Sequence, residues 1–352
     1  MSRTASPLWR VLGVAIGVVA LQALMVTVFA WPATRLEPRD LPVAVAGPAP
    51  AAQAFASQLD RARPGAFEVT TVPDAAVADR RLRDRDAYAA FLVGPLAPSG
   101  TNTSGAGAPP GGFGLTGLHV ASAASPTVAQ LLTQASQTLG QGRPVPVQDV
   151  VAADGDDPRG AALASGLLPL VLTSLAAGLL LALGVGSRLA RVLGVLTYAV
   201  LAGLVATAIV QYGLGALPGD YLANAAVVAL LTLAMAATAA GLGATLGPAG
   251  VALAVLAVFL LGNPLSGLTA APELLPQPWG AVGQLLPPGA GGTLLRAVAF
   301  FDGAGAAAQA WVLTAWAAGG LLLAAIPAAS RLRAPSRTRS HGPIPLRAQG
   351  AA

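Results

Sequence analysis

The sequence predicts an α-helical polytopic membrane protein of six transmembrane helices with an inserted extracytoplasmic α/β domain. Three observations predict it. The 352 residues are 55% hydrophobic and only 10% charged, whereas soluble domains average about a quarter charged. Six apolar runs are each long enough, at about 20 residues, to cross a hydrocarbon core. One long stretch between the first two runs is polar and mixed, and strand and helix periodicities alternate along it.

The runs are Trp9–Trp31, Ala161–Val185, Leu189–Gly213, Tyr221–Leu246, Ala249–Leu268 and Ala304–Ile326. The first contains Arg10 near its edge and the third Arg191 near its start; the fifth is interrupted by Asn263-Pro264. The first is about twice the length of a signal-peptide core and no small-x-small cleavage site follows it, so it reads as an uncleaved anchor. The chain then divides into a cytoplasmic end and first helix (1–31), an extracytoplasmic domain (32–160), a five-helix membrane domain (161–326) and an Arg-rich cytoplasmic tail (327–352).

Orientation follows from arginine. With the N-terminus cytoplasmic, the inner segments hold nine arginines and no acid, and the outer segments hold eleven arginines and all fifteen acids. That is the positive-inside pattern for short loops and span ends. Both termini are therefore expected on the cytoplasmic side of a plasma membrane. The net charge of +5 is a topology signal, not a polyanion surface, and nucleic acid is not expected as a partner.

Within the polar stretch, Leu41–Ala46, Phe67–Val72, Tyr88–Val93, Leu115–Ala121 and Val145–Val151 read as strands. They alternate apolar residues or are β-branched, and turn residues bound them. Ala49–Arg61 places Ala52, Phe55 and Leu59 on one helical face. Asp74–Arg85 begins on an acid, which suits a helix N-terminus. Ser125-Pro126 is a cap followed by a first-turn proline, and Gly140 ends that helix. Strands alternating with helices predict a mostly parallel sheet. The stretch 94–114 holds seven glycines and four prolines and reads as a flexible loop. Its Asn102-Thr103-Ser104 sequon is read as a chance match.

The chemistry-bearing residue types are sparse. There is no cysteine, and all 20 basic residues are arginine, which removes thiolate nucleophiles, Cys-ligated metals, a phosphate-loop lysine and a Schiff base. No cofactor is expected, and no enzyme. No span carries Asp, Glu, Lys or His, which weighs against an ion-coupled transporter. Isolated polar residues such as Thr173, Ser174, Tyr198, Thr207 and Asn224 are read mainly as interhelical hydrogen-bonders. Gly13-x-x-x-Gly17 and Gly243-x-x-x-Gly247 fit close helix packing, weakly in so Gly-rich a chain. Asp154, Asp156 and Asp157 lack the spaced ligands of a calcium loop and read as a linker. Arg80, Arg81, Arg83 and Arg85, interleaved with acids, read as a solvated helix face. His119 and His341 fall on opposite sides of the membrane and cannot share a metal.

Thr269–Gly303 is too apolar for a solvated loop and too broken by proline to span. It fits two short half-inserted helices at the outer leaflet, read either as an outer gate or as an interfacial lid. The candidate gate residues are Asn263, Pro264, Glu273, Trp279 and Arg296.

Several short motifs carry a family resemblance. They are Leu41–Ala46 (LPVAVA), Ala87–Pro95 (AYAAFLVGP), Pro272–Pro276 (PELLP), Leu286–Gly289 (LPPG) and Leu295-Arg296. With one crossing, a large outer domain and five further crossings, the chain resembles the ABC type-2 permease superfamily, in its branch of phage-infection-protein (Pip)-like membrane proteins. The resemblance implies an exporter subunit that forms a homodimer, or a heterodimer with a similar permease. It implies outward movement of a lipid, drug or envelope polymer, energised by a separate ATPase that would contact Arg188 and Arg191. The alternative is a membrane-anchored envelope scaffold or receptor whose outer domain binds a partner without transport.

Overall fold

The computed structural model describes residues 7–96, 113–140 and 143–326. The sequon, most of the 94–114 loop, His341 and the arginines of the 327–352 tail lie outside the described residues.

Helix α1 (Pro7–Ala33) leads into a five-stranded sheet of β1 (Leu41–Ala46), β2 (Phe67–Val72), β3 (Ala89–Pro95), β4 (Phe113–Val120) and β5 (Val147–Asp149). Three helices accompany it: α2 (Ala49–Ala62), α3 (Ala75–Arg83) and α4 (Pro126–Leu139). The strand order is β2-β1-β3-β4-β5. Pairs β1–β2, β1–β3 and β4–β5 are parallel, as the alternation predicts, but β3–β4 is antiparallel. The reason lies in the connection. Parallel neighbours need a crossover, usually a helix, and no helix lies between β3 and β4 among the described residues.

Local chemistry sets the helix ends. The Asp74 carboxylate accepts from the Val77 N–H at 2.9 Å and caps α3. Ser125 Oγ accepts from the Val128 N–H at 3.2 Å and caps α4. Gly140 follows α4 with φ −67°, so it is not the left-handed cap that glycine usually supplies. It is needed for space instead: a Cβ there would sit 2.5 Å from the Arg143 carbonyl. Helices α2 and α4 cover the sheet face built on Leu41, Val43, Val45, Phe91 and Leu118. Helix α3 covers the other, with Ala44, Ala46, Ala90, Ala78 and Leu82.

The remaining chain is helical. It comprises α5 (Ala161–Gly184), α6 (Arg188–Ala208, continued by a π-helical turn to Gly213), α7 (Tyr221–Leu246), α8 (Pro248–Ala254, continued to Leu261), α9 (Trp279–Gln284), α10 (Pro287–Phe300) and α11 (Ala306–Ala325). Among the described residues, five helices are long and apolar enough to cross a membrane: α1, α5, α6 with its extension, α7 and α11. Large apolar side chains such as Leu180, Leu189, Leu222 and Leu322 stand two-thirds exposed around this bundle. A soluble monomer does not present so much apolar surface, and the chain is membrane-embedded. The fifth apolar run differs from its expected length. Its helix stops at Leu261 and turns through residues 262–266, leaving 14 helical residues, or about 21 Å of rise.

Helix α7 is the axis of the bundle, with 72% of its most apolar stretch buried against α5, α6 and α11. Close approach depends mostly on glycines outside the two G-x-x-x-G matches. A Cβ at Gly178 would lie 2.5 Å from the Ala236 carbonyl, at Gly203 2.5 Å from that of Ala225, and at Gly241 2.4 Å from that of Gly320. Gly13 and Gly17 have nothing within 4 Å, and Gly247 is a turn residue at φ +64°. Only Gly243 of the two motifs is in a packed position, against Ala182 and Val251.

The sheet domain is held by the segment between α8 and α11. Ala270, Ala271 and Leu274 join the core under α2 and α4, while Phe301 joins the core under α3. The Glu37 and Arg39 N–H groups donate to the carbonyls of Leu274 and Glu273 at 3.1 and 3.0 Å. Ser125 Oγ donates to the Ala270 carbonyl at 2.7 Å, and Thr127 Oγ1 to that of Thr269 at 2.8 Å. Ser125 thus serves α4 and the domain contact at once. Replacing it with alanine is expected to lower stability by about 1–2 kcal/mol, read as a lower thermal midpoint in detergent.

Candidate functional site

Where segment 269–303 meets the sheet domain, a cleft of about 410 Å³ opens between them. Its sheet-domain wall comes from Arg85 and Tyr88, and its opposite wall from Glu273, Gln284, Arg296 and Gln309. Tyr88 Oη donates to Glu273 Oε2 at 2.8 Å. Arg85 donates from Nη1 to the Thr293 carbonyl at 3.3 Å, and its guanidinium lies 5.4 Å from the Phe301 ring centroid. Arg296 is buried, 6% exposed, and donates from Nη2 to the Leu268 carbonyl. Gln284 ties the floor together. It donates to the Ser266 carbonyl at 3.0 Å and accepts from Thr293 Oγ1 at 2.7 Å.

The electrostatics follow from burial. Desolvation, with the Glu273 carboxylate alongside, pushes the Tyr88 phenol well above its ordinary value, so it stays a neutral donor. Desolvation also lowers the Arg85 guanidinium from its usual value, offset in part by Tyr88 and Glu273.

The five expected gate residues separate. Glu273 and Arg296 share this cleft. Asn263 and Pro264 line a different, smaller pocket with Phe29, Leu36 and Leu275. Trp279 is 40% exposed and packs edge-on against Trp31, with ring centroids 6.4 Å apart. The charge pattern places Arg85 on a solvated face, and the structure corrects that. The chain ends α3 at Arg83, and Arg85 adopts φ +63°, a left-handed conformation rare for a residue with a Cβ. This turn directs Arg85 into the cleft while Arg80 and Arg83 remain exposed. Composition and helical periodicity carry no signal for such a turn.

The pair expected to contact an ATPase, Arg188 and Arg191, also divides. Arg188 is exposed. Arg191 is 3% exposed and is not available as a docking charge. Its guanidinium donates to the carbonyls of Leu181, Val185 and Ala324 at 3.4, 2.9 and 3.1 Å. These carbonyls stand at the C-terminal ends of α5 and α11. Such groups lack donors within their own helices and favour a cation.

The polar residues of the bundle are mostly satisfied inside it. Tyr198 Oη meets Ser174 and Thr173 hydroxyls, each at 3.2 Å. Asn224 donates to the Pro218 carbonyl at 2.8 Å, while Thr207 Oγ1 and Asn224 Oδ1 are buried without partners among the described residues. Asp157 accepts from the N–H groups of Ala161 and Ala162 and caps α5. His119 pairs with Asp79 at 2.5 Å across β4 and α3. Among the described residues no cluster of metal-ligating side chains occurs.

Comparison of the chain with family models, curated proteins and solved structures returns no match. What bears on its function is therefore this geometry.

Proposed function

We propose that the chain is the membrane subunit of an ABC type-2-like exporter that moves an amphipathic lipid, drug or envelope polymer outward. Six crossings place both termini in the cytoplasm and residues 32–160 outside. A separate ATPase supplies the energy, and two permease chains form the unit. One observation carries this reading. The segment from Thr269 to Gly303 packs into both cores of the sheet domain and carries α10, which packs on α7 and α11. A shift of the bundle therefore reaches the cleft and the domain together. Trp31, Tyr212 and Trp279 lie at helix ends on the sheet-domain side, as in an interfacial belt, which forms at either face of a membrane.

The test is photo-crosslinking from position 188 in intact membranes. Recovery of an ATPase is the expected result, and repeated recovery of none sinks the proposal. One observation favours the scaffold reading. The links on the proposed cytoplasmic side are short: Val185–Ser187 between α5 and α6, and Gly247 between α7 and α8. They offer an ATPase little surface. On that reading, deletion of residues 32–160 abolishes capture of an envelope partner and leaves export unchanged.

A further inference from the structure

The sheet domain holds a cavity of its own, of about 630 Å³ and lined by that domain alone, a volume typical of small-molecule sites. Topology explains its place. From β1 the chain crosses to β2 through α2 on one sheet face, and from β2 it returns to β3 through α3 on the other. The parallel neighbours β1 and β3 are therefore a switch point. In open α/β sheets the crevice at the carboxyl ends of such strands is where ligands bind. The cavity sits at that end: Val93 and Leu96 lie at the end of β3, and Ala51 in the first turn of α2. Gly47 lets α2 start so close, because a Cβ there would lie 2.2 Å from the Val93 carbonyl oxygen.

The lining is of two kinds. Phe55 and Leu139 are apolar, and Phe113, 55% exposed, adds a second phenyl ring. Phe91 braces the Phe55 ring at a centroid distance of 5.5 Å. The polar lining is Gln58, Arg61 and Arg143. Among the described residues no Asp or Glu lines the cavity, and residues 97–112, which join Leu96 to Phe113 in sequence, contain none. Arg61 Nε donates to the Ser57 carbonyl at 3.0 Å, which folds the side chain back along α2. Among the described residues no carboxylate oxygen lies within 4.0 Å of the Arg61 guanidinium.

We propose that this cavity binds a small aromatic carboxylate, its ring against Phe55 and Phe113 and its carboxylate on the guanidinium groups of Arg61 and Arg143. A planar guanidinium matches a carboxylate in paired hydrogen bonds. Phenyl walls favour an aromatic body through offset or edge-on ring contacts, and a ring laid on Phe113 takes exposed apolar surface out of water. Leu139 and Gly140 bring the C-terminal end of α4 to the cavity. The negative end of that helix dipole opposes a doubly charged phosphate ester more than a single carboxylate. The proposal goes beyond the export reading and needs neither an ATPase nor a second chain.

The test is isothermal titration calorimetry of the full chain in phosphatidylcholine nanodiscs, with empty nanodiscs as the blank. The probes are cinnamate, its uncharged amide cinnamamide, acetate, octanoate and phenyl phosphate. Cinnamate is expected to bind at least about tenfold tighter than cinnamamide, tenfold being about 1.4 kcal/mol, and acetate to give no measurable heat. The double variant Arg61→Gln, Arg143→Gln removes that preference and leaves cinnamamide binding unchanged. Both positions are exposed, so the double variant is expected to fold. Phe113→Ala weakens cinnamate and cinnamamide alike. Equal binding of cinnamate and cinnamamide, or a double variant that keeps the preference, overturns the proposal. Octanoate binding tighter than cinnamate overturns the aromatic body, and phenyl phosphate binding tighter than cinnamate overturns the carboxylate.

Discussion

Arg191→Leu is expected to lower the stability of the bundle by roughly 3 kcal/mol or more. The leucine fills part of the volume but donates nothing, so the Leu181, Val185 and Ala324 carbonyls lose their shared donor. Each buried acceptor left unpaired costs about 1–3 kcal/mol. The favourable placement of a cation at two helix C-termini is lost as well. Arg191→Lys recovers less than half of this, because one ammonium cannot reach three carbonyls spread over two helix ends. Thermal unfolding in detergent, followed by the loss of monodisperse protein, measures both variants. An Arg191→Leu chain that melts with the wild type would remove the clamp from the account. Arg188→Leu, at an exposed position, is the control and is expected to melt unchanged.

The second large effect is at the seam between α7 and α11. A Cβ at Gly320 would meet the Ala237 carbonyl carbon at 2.4 Å and the Thr238 nitrogen at 2.5 Å. These are backbone atoms of a central helix and cannot swing aside. Gly320→Ala therefore forces the helices apart, at about 1–3 kcal/mol, and Gly320→Leu is expected to yield no folded protein. Gly319, its neighbour, has nothing within 4 Å. Gly319→Ala is expected to be neutral, or to stabilise by up to about 1 kcal/mol through helix propensity. The adjacent pair separates packing from propensity: equal melting of Gly320→Ala and Gly319→Ala would dismiss the seam. Gly13→Ala and Gly17→Ala are likewise expected to leave the melting of this chain unchanged.

These two sites show where sequence reasoning reaches and where it stops. Tyr221–Leu246 was legible to the residue because length and hydropathy are properties of a continuous segment. Leu41–Ala46 and Phe67–Val72 were equally legible because alternation and flanking turn residues are local. The caps at Asp74 and Ser125 were readable for the same reason. Arg191 read as a cytoplasmic positive charge, and its position in the chain carried no sign that it folds inward. Its partner Ala324 is 133 residues away. Arg85 read as one more arginine in a charged run, and only a left-handed turn after α3 separates it from its neighbours. In the candidate site Glu273 and Arg296 were legible as charges in an apolar, proline-broken segment. Tyr88, which meets Glu273 across 185 residues, was not.

By itself, then, the sequence determined the five long apolar helices, the order of strands and helices, and the distribution of arginine along the chain. Each is written in composition or in a period of two or 3.6 residues, and needs no distant neighbour. The tertiary structure alone decided the antiparallel step between β3 and β4, which glycines bring helices together, and which arginines face a cleft or a helix end. Those outcomes depend on which backbone atoms arrive within a few ångströms of one side chain. That proximity is created by packing, after the local elements have formed.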